Sequence, residues 1–191
     1  AQRLSYVGEL GFEIYIDKND AKEIYKLIIE EGKNHNLSHC GSHAMDIMRM
    51  ESGFLHWGHD ISPEENQYEA GLKFTISYKK QIDFIGKKSL LKIKDKKQGR
   101  RFIMLSLKNN KPGEPLLLHE EPIYINDKIV GKTTSGNYSF NYSKNLSFGY
   151  IKTHLSNEEL SKMNLYIEVA KIKYPAIVEA IPLKDKQTKF L

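Results

Sequence analysis

In the stretch RLSYVGELGFEIYI, Arg3 to Ile16, the carboxylates Glu9 and Glu13 stand four positions apart around Gly8 and Gly11, with Tyr6, Phe12 and Tyr15 close by. Residues 12–16 alternate apolar and polar as a half-buried strand does, and Tyr6 lies on the far side of the glycines. The spacing predicts a strand, a turn and a second strand. On one reading the two glycines supply positive φ and both glutamates face water. On the other, the second strand holds Glu13 rigidly between aromatic walls, where its carboxylate accepts two parallel hydrogen bonds from a planar donor pair, as a guanidinium or a pterin edge presents. Composition alone favours the first.

Four further side chains suggest metal chemistry: His35, His39, Cys40 and His43 fall within nine positions. Structural zinc sites draw paired ligands from two knuckles, and no second pair stands at a suitable distance, so no metal is expected. His56 and His59 flank Trp57 and Gly58, but neither comes with a nucleophile and an orienting partner in the sequence. The chain has no nucleophile elbow, phosphate loop or dinucleotide glycine fingerprint, which leaves hydrolase, nucleoside triphosphatase and Rossmann readings without an anchor. The segment TTSGNYS, Thr133 to Ser139, reads as a polar turn after a strand.

The elements that must position these residues fall into two groups. Asn19 or Asp20 caps a helix with Ala21, Ile24, Tyr25, Leu27 and Ile28 on one face, ending near Gly32. A second helix spans Ser42 to Ser52 and stops at Gly53, and residues 54–66 form a loop. Alternation returns over Leu72 to Ser77, and a short amphipathic helix over Lys88 to Ile93 leads into the polar linker Lys94 to Gly99. Beyond it the pattern is almost entirely β, over residues 102–107, 121–125, 128–134, 147–151, 165–169 and 176–180. Asn126–Asp127 makes a hairpin turn between two of these runs. Short strands at this spacing predict a small barrel or sandwich.

With 191 residues and 40% hydrophobic content the chain can bury a core. No apolar run reaches the ~18–20 residues of a membrane helix, and the sequence has no export signal profile. A single cysteine allows no internal disulfide and fits a reducing compartment. The expected location is cytoplasmic, or the mitochondrial matrix in a eukaryote. The net charge of +5 is concentrated between Lys79 and Arg101. That run lacks interleaved aromatics and nucleic-acid signatures, so it reads as a solvated lysine face and no nucleic-acid partner is expected.

Four ordered segments carry a resemblance that spans essentially the whole chain. RLSYVGELGFEIY, AMDIMRMESGFLHWGHDISPEENQYEAGL, DFIGKKSL and VGKTTSGNYSFNYSKNLSFGYI resemble, in this order, blocks of the folate-binding aminomethyltransferase (glycine cleavage T-protein) superfamily. The Glu9-Leu10-Gly11 and Trp57-Gly58 spellings resemble its dimethylglycine and sarcosine dehydrogenase branch. The resemblance implies an α+β fold: an α/β lobe over residues 1–94, the second half of the folate-binding domain, followed by a C-terminal β-barrel over residues 95–191.

It also implies tetrahydrofolate as cofactor, a methylated amine as substrate, and passage of a one-carbon unit to give 5,10-methylenetetrahydrofolate. Carried over by position, Tyr6 lines the folate pocket, Glu13 grips the pterin, Ile14 and Tyr15 continue the contact, and Phe74 offers a stacking face where the dehydrogenase branch has tyrosine. Glu9 belongs to the turn. Met45 stands where the T-protein proper has a folate-contacting arginine. Arg49 and Glu51 match an R-x-E signature and are expected to form a structural ion pair. The family's catalytic aspartate belongs to an amino-terminal half, expected here as a partner in cis or in trans. FAD would occupy a separate or preceding domain. A non-catalytic folate-binding sensor or assembly protein on the same fold is the alternative.

Overall fold

In the computed structural model, which describes residues 1–108 and 111–183, a small lobe of helices and loops leans on a closed antiparallel barrel. The lobe opens with a two-stranded ribbon, β1 (Gln2–Arg3) and β2 (Phe12–Glu13), followed by α1 (Ala21–Gly32), α2 (Ser42–Glu51) and α3 (Lys87–Ile93). The barrel comprises β3 (Arg101–Leu107), β4 (Pro122–Ile125), β5 (Lys128–Ser139), β6 (Lys144–Ile151), β7 (Leu165–Val169) and β8 (Ile172–Glu179), with α4 (Asn157–Ser161) between β6 and β7. The strands close in the order β3-β6-β5-β4-β7-β8, and β8 returns to β3.

Alternation along β3 shows how the core is divided. Ile103, Leu105 and Leu107 point into the barrel, where they meet Leu117, Ile123, Ile151, Leu165 and Ile167. Phe102 and Met104 point outward and join Ile47 and Met50 of α2 with Leu146, Phe148 and Tyr150 of β6. Both faces of β3 are therefore covered, which is why RFIMLSL reads as a nearly continuous apolar run rather than a period of two. Burying Met50 completely contributes about 1.5–3 kcal/mol.

The Asn126–Asp127 turn joins β4 and β5 as expected, with Ile125 opposite Lys128 and Asn126 at φ 54°. α4 carries a capping box: Ser156 accepts from the Glu159 amide and Glu159 accepts from the Ser156 amide. Its Leu160 is fully buried against the barrel core.

Three local expectations are corrected. Only Phe12–Glu13 of residues 12–16 is strand, because its sole partner is the two-residue β1. Residues 72–77 are not a strand; Lys73–Thr75 is a single 3-10 turn, with the Thr75 hydroxyl donating to the Leu72 carbonyl. Residues 133–139 are not a loop but the second half of β5, paired with β6 through a bulge between Thr133 and Ser135. Among the described residues, no helix is long and apolar enough to cross a membrane.

Candidate functional site

Of the two glycines that frame Glu9, only Gly8 has positive φ, at 76°. Gly11 serves a different purpose: a Cβ there would lie 3.1 Å from the Leu4 carbonyl oxygen across the ribbon, so its smallness allows the two arms to close. The Glu9 amide donates to the Ser5 hydroxyl at 3.1 Å, which makes Glu9 a turn residue.

The ribbon is fastened to the lobe by three contacts. The Ser52 hydroxyl at the end of α2 donates to the Val7 carbonyl at 2.9 Å. Tyr6 stacks on Phe54, with ring centroids 6.5 Å apart and 10° between planes. Its hydroxyl reaches the Leu55 carbonyl at 3.4 Å, a stretched bond. Burial raises the Tyr6 phenol above its ordinary range; Arg49 opposes that shift and Asp60 and Asp46 add to it.

Glu13, Ile14 and Tyr15 are all exposed. The Tyr15 hydroxyl donates to Glu13 Oε2 at 2.6 Å, and this bond, with the adjoining negative charge, raises the Tyr15 phenol. The pair sets the direction of the carboxylate and leaves its second oxygen for another donor. Phe12, Ile14 and Tyr15 are each more than half exposed, and around them lie Leu4 and Leu10 in the same segment. Phe74 is 83% exposed on its own 3-10 turn, and Met45 is exposed on α2. Thus Tyr6, Glu13, Ile14 and Tyr15 are gathered on one ribbon and the two residues after it, while Phe74 stands on a separate element.

Behind the ribbon lies a buried charge cluster. Arg49, 1% exposed, donates through Nε and Nη2 to Asp46 at 2.9 and 2.7 Å, through Nη1 to the Phe54 carbonyl at 3.1 Å and to Asp60, and through Nη2 to the Ser135 hydroxyl at 2.7 Å. Asp60, also 1% exposed, accepts further from the His56 amide, Thr134 and Ser135. The expected Arg49–Glu51 pair is therefore corrected. Two positions along a helix point to different sides, and Glu51 instead accepts from the Ser139 hydroxyl at 2.6 Å and the Asn141 amide at 2.8 Å.

Sequence reasoning did not single out Asp60, Thr134 and Ser135. Asp60 sits inside the quoted tryptophan-glycine block, but nothing in its spacing announces partners more than seventy residues away. His56 and His59 stack on one another at 4.4 Å. His39 contacts the Tyr25 hydroxyl, and among the described residues no three His, Cys, Asp or Glu side chains gather in a way that could hold a metal ion.

Comparison with known proteins places this geometry in context. Residues 1–80 match the family model described as GCVT N-terminal domain, and residues 100–185 match that of the glycine cleavage T-protein C-terminal barrel domain. The chain is 36% identical over 183 residues to mitochondrial dimethylglycine dehydrogenase of Homo sapiens, across 96% of this chain and 20% of that protein. It is 34% identical over 149 residues to aminomethyltransferase of Symbiobacterium thermophilum, across 78% of this chain and 39% of that protein. The chain thus spans between a fifth and two fifths of the length of these relatives. The crystal structure of the glycine cleavage system aminomethyltransferase T from Bartonella henselae superposes with a TM-score of 0.79 over 95% of this chain and 48% of that one, at 21% identity, and shows the same fold.

Proposed function

Since the chain belongs to the glycine cleavage T-protein family, we propose that it takes part in tetrahydrofolate-dependent transfer of a one-carbon unit, within an aminomethyltransferase or a dimethylglycine or sarcosine dehydrogenase-type enzyme. Residues 1–94 supply the second half of the folate-binding lobe and residues 95–191 the barrel domain, of which 109–110 and 184–191 lie outside the described residues. An amino-terminal half, in cis or in trans, completes the pocket, and FAD, in a dehydrogenase, belongs to another domain.

The observation that carries this reading is the exposed carboxylate of Glu13, oriented by Tyr15, on a ribbon that also carries Tyr6 and is pinned to α2 and the 54–55 segment. A carboxylate in that setting accepts the adjoining N–H and 2-amino donors of a pterin as a parallel pair. Ile14 and Tyr15 extend the contact, and Phe74 offers a ring face to the same ligand. The apolar side chains left uncovered beside Glu13, including Leu10, Phe12 and Ile14, are the surface against which the amino-terminal half packs. Along α1, Tyr25 and Leu27 add to that surface.

Each residue of the reading has a limited task. Glu13 binds and orients the pterin, Tyr6 and Tyr15 shape the wall, and the Arg49–Asp60 cluster fixes the turn that supports Tyr6. The proton and carbon transfers fall to the amino-terminal half.

Calorimetric titration with tetrahydrofolate tests the reading, using the chain alone, the chain complemented with the amino-terminal half of a family aminomethyltransferase, and Glu13→Ala in both settings. Expected is binding that needs both halves and disappears in Glu13→Ala. Equal binding by Glu13→Ala would sink the assignment of Glu13. No binding in any setting would remove folate from the reading. A methylene-transfer assay on the complemented protein separates an enzyme from a folate-binding sensor.

A further inference from the structure

Away from the ribbon, a cleft of about 580 Å³ opens between the Gly58–Glu65 segment and the outer face of β4, β5 and β6. That volume is in the range of small-molecule sites. The strand register explains what lines it. Pro122 pairs with Lys132, and Lys132 pairs with Tyr150, so these three side chains share one face of the sheet. Val130 and Lys152 also line the cleft; Val130 sits at the bulge that shifts the β4–β5 register and packs against the barrel core as well, and the Lys152 amide donates to the Val130 carbonyl at 2.7 Å. Ile129 extends the apolar part of the lining.

The hydroxyl of Tyr150 is anomalous. The residue is 6% exposed, lines the cleft, and among the described residues its hydroxyl is one of two buried side-chain polar atoms with no hydrogen-bond partner. A buried donor left unmade is costly. Burial raises the phenol well above its ordinary range, with Glu65 adding to the shift and Arg100 opposing it. It therefore remains an O–H and offers a proton to an acceptor.

The charges facing the cleft are largely paired. Asp60 is held by Arg49 and Glu65 by Arg100 at 2.7 Å. The Arg100 guanidinium lies over the Tyr150 ring, 5.1 Å from its centroid. Lys132 meets Glu120 at 2.6 Å, but both side chains are about 60% exposed, and such a pair exchanges readily for another anion. Glu64, His59 and Lys152 complete the set.

We propose that this cleft binds a small organic carboxylate, with Lys132, Lys152 and the Tyr150 hydroxyl holding the head group and Pro122, Ile129 and Val130 covering its apolar body. A charged acceptor satisfies the unmade Tyr150 donor in this cleft and replaces Glu120 at Lys132. The ring or alkyl portion removes water from the apolar part of the wall. The site is independent of Glu13 and of the folate reading.

The test is an amide-resolved NMR titration of the full chain with benzoate, using benzamide as the neutral analogue of the same shape. Expected are saturable benzoate shifts centred on Lys132, Tyr150 and Lys152, with benzamide weaker by about tenfold or more, since the cost of losing a charged acceptor is of that order. Tyr150→Phe and Lys152→Gln should each weaken benzoate several-fold with no fall in melting temperature. Tyr150→Phe removes only an unpartnered hydroxyl, and Lys152 is on the surface. Equal affinity for benzamide, shifts centred elsewhere, or unchanged affinity in both variants would overturn the proposal.

Discussion

Replacing Asp60 by alanine should cost the fold about 3–5 kcal/mol, the usual penalty for removing one partner of a buried ion pair. The structure shows why the full amount applies. Four donors converge on this carboxylate: the Arg49 guanidinium, the His56 amide, and the Thr134 and Ser135 hydroxyls. Arg49 retains Asp46 and the Phe54 carbonyl, which limits its loss, but the His56 amide loses the carboxylate it donates to at 2.9 Å. Asp60→Asn should cost roughly half as much. Its carbonyl oxygen can face Arg49 and His56, while its NH2 faces two hydroxyls that can rotate to accept. At ~2–4 °C per kcal/mol for a chain of this size, the alanine variant should melt roughly 6–20 °C lower. Urea unfolding followed by circular dichroism measures both variants. The reasoning fails if Asp60→Ala loses less than about 1 kcal/mol, the range of an exposed pair, or if alanine and asparagine cost the same.

Three other perturbations probe separate parts of the molecule. The Tyr15 phenol is raised by its bond to Glu13, so the folded state holds that proton more tightly than the unfolded chain. The small stabilisation is present below pH 10 and fades as pH rises through the folded value; Glu13→Gln should bring the Tyr15 titration, read from its ring carbon shifts, back toward 10. Ser156→Ala should destabilise the chain by about 0.5–2 kcal/mol in thermal unfolding, because it removes the cap that holds Leu160 in the barrel core. Charge reversal at Lys87 and Lys88 should flatten the salt dependence of tetrahydrofolate affinity if the basic segment draws in the ligand's acidic tail. An unchanged slope in the complemented protein would remove that role.

How much of this could be read from the sequence depends on how far each feature's partners lie along the chain. The β4–β5 turn was legible because Asn126–Asp127 encodes it locally, and α1 and α2 because their apolar spacing and terminal glycines are local too. The barrel's strands were legible as runs, but β5 was cut short at Thr134. Its second half, polar and glycine-containing, is strand because β6 and the Arg49–Asp60 cluster claim its groups, not because of its own propensity. The ribbon was overestimated for the opposite reason: Phe12 to Ile16 has strand character, but β1 offers only two residues to pair with it. The Arg49–Glu51 pairing failed because adjacency in a motif was taken for adjacency in space, whereas helix geometry sends the two side chains to different partners. Glu13 and Tyr15 were put forward because their positions match a family pattern, while the partners of Asp60 required coordinates.

The cluster around Arg49 also sets a timetable for synthesis. Arg49 meets Ser135 across 86 residues, and Glu51 meets Ser139 across 88. At ribosomal rates of ~5–20 residues per second, Ser135 is made roughly 4–17 s after Arg49. During that interval Arg49 has Asp46, one helical turn back, as a provisional counter-ion, and Asp60 eleven positions later. Glu51 must wait for β5 and the turn after it. The inward side of α2, with Ile47 and Met50, stays uncovered until the barrel strands emerge. Nascent chains stalled between these two points should therefore be the forms that holdase chaperones retain longest.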